Sequence, residues 1–137
     1  MKNSTFQFKD LRLLGIEYKL NPEYSAGEES EEIQLEIASE TIVRKSGTDA
    51  KVILILNVFK ERDIQQVPFS IQISMEGYFT WGKGLDEETC DRLLRTNAPA
   101  VLLSYIRPYV SQLTSGSGYP PLILPLMDFR SNKVTIE

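Results

Sequence analysis

The most informative absence from this 137-residue chain is histidine, which does not occur once. Without an imidazole the chain lacks the usual acid/base catalyst of neutral pH, which excludes Ser-His-Asp and Cys-His nucleophile systems and histidine-ligated metals. One cysteine, Cys90, cannot form an internal disulfide or a paired-cysteine zinc site, and this usage fits a reducing compartment. The sequence therefore favours a protein that is not an enzyme and that needs no cofactor or metal.

Positive charge and long apolar runs are also scarce. The chain has 15 Lys and Arg against 19 Asp and Glu, a net charge of −4, which argues against the phosphate neutralisation that nucleic-acid binders need. No apolar run approaches the ~18 residues of a membrane span, and the N-terminus carries no signal-peptide core. We expect a soluble cytoplasmic protein that binds neither nucleic acid nor membrane, folded as a single domain over 1–137.

Alternating apolar and polar residues predict four β-strands in the first half of the chain. Over 67–81 the apolar residues share one parity and the polar residues the other, which is the period of a strand with one buried face. Similar alternation covers 4–20 and 33–44, while 51–60 is apolar on both parities, as in a central strand. Short connections with turn residues, such as 45–49, predict an antiparallel sheet.

Helical spacing replaces strand alternation after the fourth strand. Acidic residues suit the first turn of a short helix predicted over 86–95. Asn97 as N-cap and Pro99 in the first turn begin a longer helix predicted over 98–114, with apolar residues on two faces. Pro108 is expected to kink this helix unless the local backbone adjusts.

A proline-rich apolar segment follows over 115–129, which we call the crossover loop. Its three prolines exclude a regular helix and a central strand, so the segment is extended. Such a restricted apolar loop suits an exposed binding surface, and it equally suits a loop laid across the core. The fold class predicted from these elements is α+β: a four-stranded antiparallel sheet, then a short and a long helix packed on one face.

Three small clusters have ordinary structural interpretations. The acidic run 28–32 lacks the ligand spacing of a calcium loop, and a solvated loop explains it better. The Gly-Lys-Gly sequence at 82–84 lacks the flanking spacing of a phosphate-binding loop and is interpreted as a turn. Cys90 has no histidine to activate it, so we interpret it as a packing residue.

The long helix and the crossover loop share a pattern with a known family. The family's helix begins Pro-x-Ile-Leu-Phe-Pro-Tyr-x-Arg, its loop reads Gly-Thr-Phe-Pro-x-Leu-x-Leu, and an Asn-Phe closes the pattern. The corresponding residues here, without a gap over 98–129, are Pro99, Leu102, Tyr105, Arg107, Tyr119, Pro120, Leu122, Leu124 and Phe129. The segment 76–80 is also similar to the family's Gly-Gly-Ile-Phe strand. In these positions the chain resembles the SecB family of protein-export chaperones.

The resemblance implies an assembly and an activity. It implies dimers paired through the first strand, and a homotetramer of two dimers packed through the long helices, with a dimer as the fallback. Leu11, Leu13, Leu102, Ile106 and Leu113 are the predicted interface residues. It also implies an ATP-independent holdase for unfolded or partly folded client polypeptides, with no catalytic residues. The predicted client-binding residues are Phe79, Trp81, Tyr105, Tyr109, Tyr119, Leu122, Leu124, Met127 and Phe129.

Two departures from the family pattern leave the partner open. Pro108 stands where the family usually has an acidic residue, and 130–137 is too short for the family's second helix and its tail, which engages the SecA motor. The clients implied are therefore presecretory proteins, with SecA as a partner, or a dedicated client such as an antitoxin. An alternative from another class is a non-chaperone adaptor of SecB fold that binds one specific folded partner.

Overall fold

The computed structural model describes residues 4–24, 34–60 and 62–137. The elements in chain order are β1 (Gln7–Leu20), β2 (Ile37–Ser46), β3 (Asp49–Val58), β4 (Phe69–Thr80), α1 (Glu87–Arg92), a π-helical turn (Leu93–Asn97), α2 (Ala98–Ser115) and β5 (Lys133–Ile136). Short 3₁₀ turns lie at Ile64–Gln66 and Phe129–Ser131. The acidic run at 28–32 and the predicted start of the second strand at 33 lie outside the described residues.

The strands form one sheet in the order β1-β4-β3-β2-β5. The first four strands pair antiparallel, as predicted, and the α+β fold class is confirmed. The fifth strand was not predicted: β5 pairs parallel with the outer edge of β2. Asn132 holds its start by accepting from the Ser39 hydroxyl at 2.9 Å and donating to the Thr41 hydroxyl at 3.1 Å. These contacts join residues far apart in the chain, which local periodicity does not report.

One face of the sheet is buried beneath α2, and the alternation of β4 shows why. Its odd-numbered residues face the helix and its even-numbered residues face the other way. At Gly77 an added Cβ would lie only 2.8 Å from Leu102 on α2, so this position requires glycine for the close approach of the helix. The largest fully buried side chains are Val43, Val52, Leu54, Leu56, Val58, Ile71, Ile73, Met75, Phe79, Leu102, Ile106 and Leu124.

Turn chemistry explains where the strands begin and end. Gly47 has φ +59° at the first position of the two-residue β2–β3 turn, which is the glycine position of a type II′ hairpin. Strand β4 begins at Phe69, just after Pro68, which has no N–H for the ladder. Two register shifts interrupt β1 against β4, at the positions of Lys9 and Leu14. The first strand is therefore bulged at two points along its length.

The two predicted helices join into one helical segment. Asp86 caps α1 by accepting from the Thr89 N–H at 2.9 Å, and this hydrogen bond lowers the pKa of the Asp86 carboxyl. The π-helical turn then leads directly into α2, so Asn97 has helical backbone angles and its side chain makes no capping hydrogen bond, contrary to its predicted role. The long helix continues through Pro108 to Ser115. No helix among the described residues is long and apolar enough to cross a membrane.

Candidate functional site

The crossover loop reverses at the end of α2 and returns along the helix. Gly118, with φ +90°, adopts the backbone conformation that the reversal requires. The Leu122 N–H then donates to the Thr114 hydroxyl at 2.7 Å, and Arg107 Nε donates to the Leu124 carbonyl oxygen at 2.9 Å. The extended segment is therefore attached to α2 at two points through its own backbone.

The side chains of the attached segment point in opposite directions: Leu122 and Leu124 alternate with Ile123, and the alternation changes phase after Pro125. Leu124 and Phe129 are buried in the core, and Leu122 and Met127 pack against it half-buried. Ile123 and Leu126 point away and are 72% and 85% exposed. We call these two side chains the loop ridge. Sequence reasoning missed both, although the period of an extended segment puts Ile123 opposite Leu122 and Leu124.

A cavity of about 470 Å³ opens beside the loop ridge, between the start of α2 and the end of the loop. Its walls combine apolar and polar side chains: Thr96, Asn97, Ala100, Leu126, Met127, Asp128, Phe129 and Arg130. Asp128 and Arg130 form an ion pair at 2.6 Å, and the guanidinium lowers the pKa of the Asp128 carboxyl to about 2. The cavity is broadly open to solvent, so it offers a surface for side chains and not an enclosed ligand pocket.

The predicted client residues divide between two flanks of α2. Arg107 and Thr114 carry the loop on one flank, whereas the 100° step per residue puts Tyr105 and Tyr109 on the other. There the Tyr105 ring lies 5.6 Å from the ring of Phe8 on β1. Tyr105 and Tyr109 are 43% and 40% exposed. The structure therefore does not bring these tyrosines together with the crossover loop.

An aromatic cluster continues the β1 flank. Phe6 stacks on Phe79 and Trp81 at centroid distances of 5.4 and 6.0 Å, and Phe8 stacks on Phe79 at 5.2 Å. Both Phe79 and Trp81 are buried, so they form the floor of this cluster and not its surface. Lys45 Nζ lies 5.8 Å from the Trp81 ring, within reach of a cation–π contact.

Tyr119 and Leu113 are half-buried. The Tyr119 hydroxyl donates to the carbonyl oxygen of Tyr24 at 3.1 Å, and the two rings lie 6.2 Å apart. The hydroxyl of Ser117 accepts from the Tyr119 N–H at 3.1 Å and donates to the Thr114 carbonyl. Tyr119 is therefore fixed at the reversal of the loop, with part of its ring exposed.

The predicted interface residues also differ in burial. Leu11 is half-buried and Leu13 is 40% exposed on β1, the outer strand of the sheet. The placement of Leu102 and Ile106 requires a correction: both are fully buried against the chain's own sheet. A side chain without exposed surface cannot meet a second copy, because the single chain already uses its whole area.

Comparison with known proteins identifies the family. A sequence model of the family described as SecB, preprotein translocase subunit SecB, matches residues 5–132. The chain belongs to the SecB family. The protein-export protein SecB of Anaplasma phagocytophilum is 33% identical over 82 residues, or 58% of this chain and 51% of that protein. The chain thus spans about half the length of such relatives, although it covers 70% of the SecB of Ehrlichia ruminantium, at 30% identity over 124 residues.

A solved structure supports the SecB-like fold. The SecB-like chaperone of Mycobacterium tuberculosis, in complex with a ChAD peptide from the HigA1 antitoxin, superposes with a TM-score of 0.67 at 20% sequence identity. The superposition covers 90% of this chain and 88% of that one. At this level of identity the likeness concerns the fold.

The positions that share the SecB pattern have identifiable structural roles. Pro99 is buried in the first turn of α2, and Leu102 packs over Gly77 of the sheet. Arg107 holds the crossover loop through the Leu124 carbonyl, while the Leu124 side chain fills the core. In this member of the SecB family Pro99 and Leu102 thus belong to the packing of α2, Arg107 and Leu124 hold the loop in place, and Ile123 and Leu126 lie between shared positions of the loop.

Proposed function

We propose that this SecB family member is an ATP-independent holdase chaperone that binds non-native polypeptide and keeps it soluble. The observation that carries the proposal is the loop ridge: Ile123 and Leu126 are 72% and 85% exposed on a loop whose backbone is attached to α2. Two apolar side chains held so far out of the core, beside a cavity that Leu126 and Met127 line, favour a binding surface. The proposal includes no catalytic step and no cofactor.

The client surface that we propose consists of the loop ridge and the adjoining cavity. Unfolded clients offer apolar side chains in no fixed order, so an open apolar surface suits them better than a shaped pocket. Met127, half-buried in the cavity wall, adds a side chain that repacks easily. Of the residues predicted for the client site, Tyr119, Leu122 and Met127 are the half-buried ones that we retain. Leu124 and Phe129 support this surface from the core.

Several contacts must act together in such a site. Each apolar side chain that a client desolvates contributes roughly 1.5–3 kcal/mol. A micromolar affinity corresponds to about 8 kcal/mol, after the cost of association has been met. One loop ridge is too small for this, so we infer that clients contact the surfaces of more than one chain.

We propose a homotetramer, with a dimer as the smaller unit. β1 is the outer strand, and its Leu13, Leu14 and Leu20 are exposed among the described residues. Tyr105 and Tyr109 lie on the same flank of α2, so we assign them to the assembly surface together with Leu11, Leu13 and Leu113. A stable contact requires roughly 1,000 Å² or more. Sedimentation at micromolar concentration tests this, and a monomer near 15.6 kDa would contradict it.

Two client classes are candidates. The SecB-named relatives are protein-export proteins, which favours presecretory clients and a contact with SecA. The Mycobacterium tuberculosis neighbour holds a peptide from an antitoxin, which favours a dedicated antitoxin client. We propose a general holdase first and a dedicated one second.

Light scattering tests these alternatives. Several unrelated, chemically unfolded proteins are diluted into buffer with the chaperone, without nucleotide. Suppressed aggregation of most of them supports the general holdase, and strong protection of one supports a dedicated chaperone. Protection of none would refute the chaperone function and favour the adaptor that binds one folded partner.

A further inference from the structure

A single buried hydroxyl connects the interior of α2 to the crossover loop. Thr114 Oγ1 lies 2.8 Å from the carbonyl oxygen of Val110 and 2.7 Å from the amide nitrogen of Leu122, and Thr114 has no exposed surface. An N–H only donates and a carbonyl only accepts, so both directions follow. The hydroxyl accepts from Leu122 and donates to Val110, with the Ser111 carbonyl oxygen as a second, longer acceptor at 3.2 Å.

Arg107 holds the loop at a second point, about two helical turns before Thr114. Its Nε donates to the Leu124 carbonyl oxygen at 2.9 Å. The two hydrogen bonds therefore fix the loop backbone at the residues just before and just after Ile123. Because the segment is extended, Leu122 and Leu124 must point one way and Ile123 the other.

The register of this attachment decides which side chain is exposed. Leu124 is fully buried and Leu122 packs against the core, while Ile123 is 72% exposed. A slip of one residue in an extended segment turns every side chain to the opposite face. We propose that Thr114 is a positioning residue that sets this register and so selects Ile123 as the side chain offered to clients. The selection for clients rests on the proposed chaperone function, whereas the register does not.

Substitution of Thr114 separates its hydroxyl from its shape. Thr114→Val keeps the volume and the branched side chain but leaves the part-buried Leu122 N–H without its acceptor. The loop relieves this unsatisfied donor by moving away from its anchor. Thr114→Ser keeps the hydroxyl and loses only a methyl group. The two variants therefore form a matched pair for the hydrogen bond.

Thiol labelling measures the register directly. Leu122→Cys and Ile123→Cys are each placed in the native, Thr114→Val and Thr114→Ser backgrounds and reacted with a soluble maleimide. In the native background we expect the Ile123→Cys thiol to react faster than the Leu122→Cys thiol. Thr114→Val should shrink this ratio by about tenfold, the scale of one lost buried hydrogen bond, and Thr114→Ser should retain it.

The buried thiol of Cys90 serves as the internal control. Burial raises the pKa of Cys90, which keeps its reaction with maleimide slow while the fold is intact. An unchanged ratio in Thr114→Val overturns the proposal. Faster labelling of Cys90 together with both introduced thiols also overturns it, since Thr114 would then support the fold in general. If Thr114→Val fails to fold, Thr114→Ala removes the same hydroxyl with a smaller side chain, and the same ratio decides.

Client affinity separates this proposal from the proposed function. The probe is a fluorescently labelled, reduced and carboxymethylated protein. Thr114→Val should weaken its binding by about tenfold, because the loop no longer holds Ile123 in place, and Thr114→Ser should retain the native affinity. A changed labelling ratio with unchanged affinity would refute the loop ridge as the client surface and leave the register proposal intact. An unchanged labelling ratio refutes the register proposal whatever the affinity.

Discussion

Truncating Leu126 should separate client binding from folding. Leu126 is 85% exposed, so folding buries only a small part of its side chain. Full burial of a leucine side chain contributes roughly 1.5–3 kcal/mol, so Leu126→Ala should lower the free energy of unfolding by at most about 0.5 kcal/mol. A client that covers the remaining surface gains the larger part, about 1.3–2.5 kcal/mol. The expected loss of client affinity is therefore about ten- to seventyfold.

Leu124→Ala is the matched control, because the same chemical change occurs two residues away at a position with no exposed surface. It removes core contacts and leaves a cavity, which costs about 2–5 kcal/mol of unfolding free energy. Urea unfolding followed by the fluorescence of Trp81, the only tryptophan, gives the stability of both variants. Fluorescence anisotropy with a labelled, carboxymethylated unfolded protein gives their affinities at a concentration where both are folded.

Leu126→Ala should thus lose client affinity and keep its stability, whereas Leu124→Ala should lose stability and keep its client affinity. Truncation of a buried leucine to alanine costs at least about 2 kcal/mol of unfolding free energy. A loss of that size in Leu126→Ala would therefore refute the outward orientation of the loop ridge. If Leu126→Ala and Ile123→Ala both bind the unfolded protein with native affinity, clients bind elsewhere. The β1 flank with Tyr105 and Tyr109 would then be the next surface to test.

Three further predictions concern the fold. Gly77→Ala should lower the free energy of unfolding in urea by about 1–3 kcal/mol, because its Cβ would lie 2.8 Å from Leu102. An unchanged urea midpoint would mean that α2 moves away without an energetic cost. Carboxyl NMR should show Asp128 titrating near pH 2, because Arg130 lowers its pKa in the folded state to about 2. The ion pair therefore contributes fully above the ordinary pKa of about 4 and is lost as the pH falls through 2, and Arg130→Gln should return the titration midpoint to about 4. Deletion of 133–137 should expose the edge of β2 and increase aggregation on heating, and unaltered light scattering would contradict this.

Local patterns in the sequence predicted the elements better than the contacts between them. The alternation over 67–81 and the turn residues over 45–49 report on neighbours along the chain, and the strands and the hairpin formed there. The pairing of β5 with β2 was not predicted because the residues that hold it, Asn132 and Thr41, lie far apart in sequence. Asn97 was assigned as a cap because the π-helical turn before it has no simple sequence signature.

Which side chains of the crossover loop lie in the core and which lie in solvent could be predicted only in part. The pattern shared with the SecB family directed attention to Leu122, Leu124 and Phe129, which lie in or against the core. The exposed Ile123 lies between two of the shared positions. Its exposure depends on Thr114 and Arg107, whose hydrogen bonds to the loop backbone become visible only in three dimensions. The shared motif thus marks residues that pack beneath or beside the loop ridge, and it does not include Ile123 or Leu126.

The two apolar surfaces of this chain differ in backbone chemistry, and this difference suits them to different occupants. β1 is an outer strand, so it offers a row of N–H and C=O groups to which another strand can add. Its exposed leucines restrict which strand fits, and a second copy of the chain supplies the same apolar strand in a symmetric pairing. The crossover loop has prolines at three positions, and its Leu122 N–H and Leu124 carbonyl are already bonded to α2. It can offer side chains but no continuous ladder, and side-chain contact without backbone register is what clients of variable sequence require.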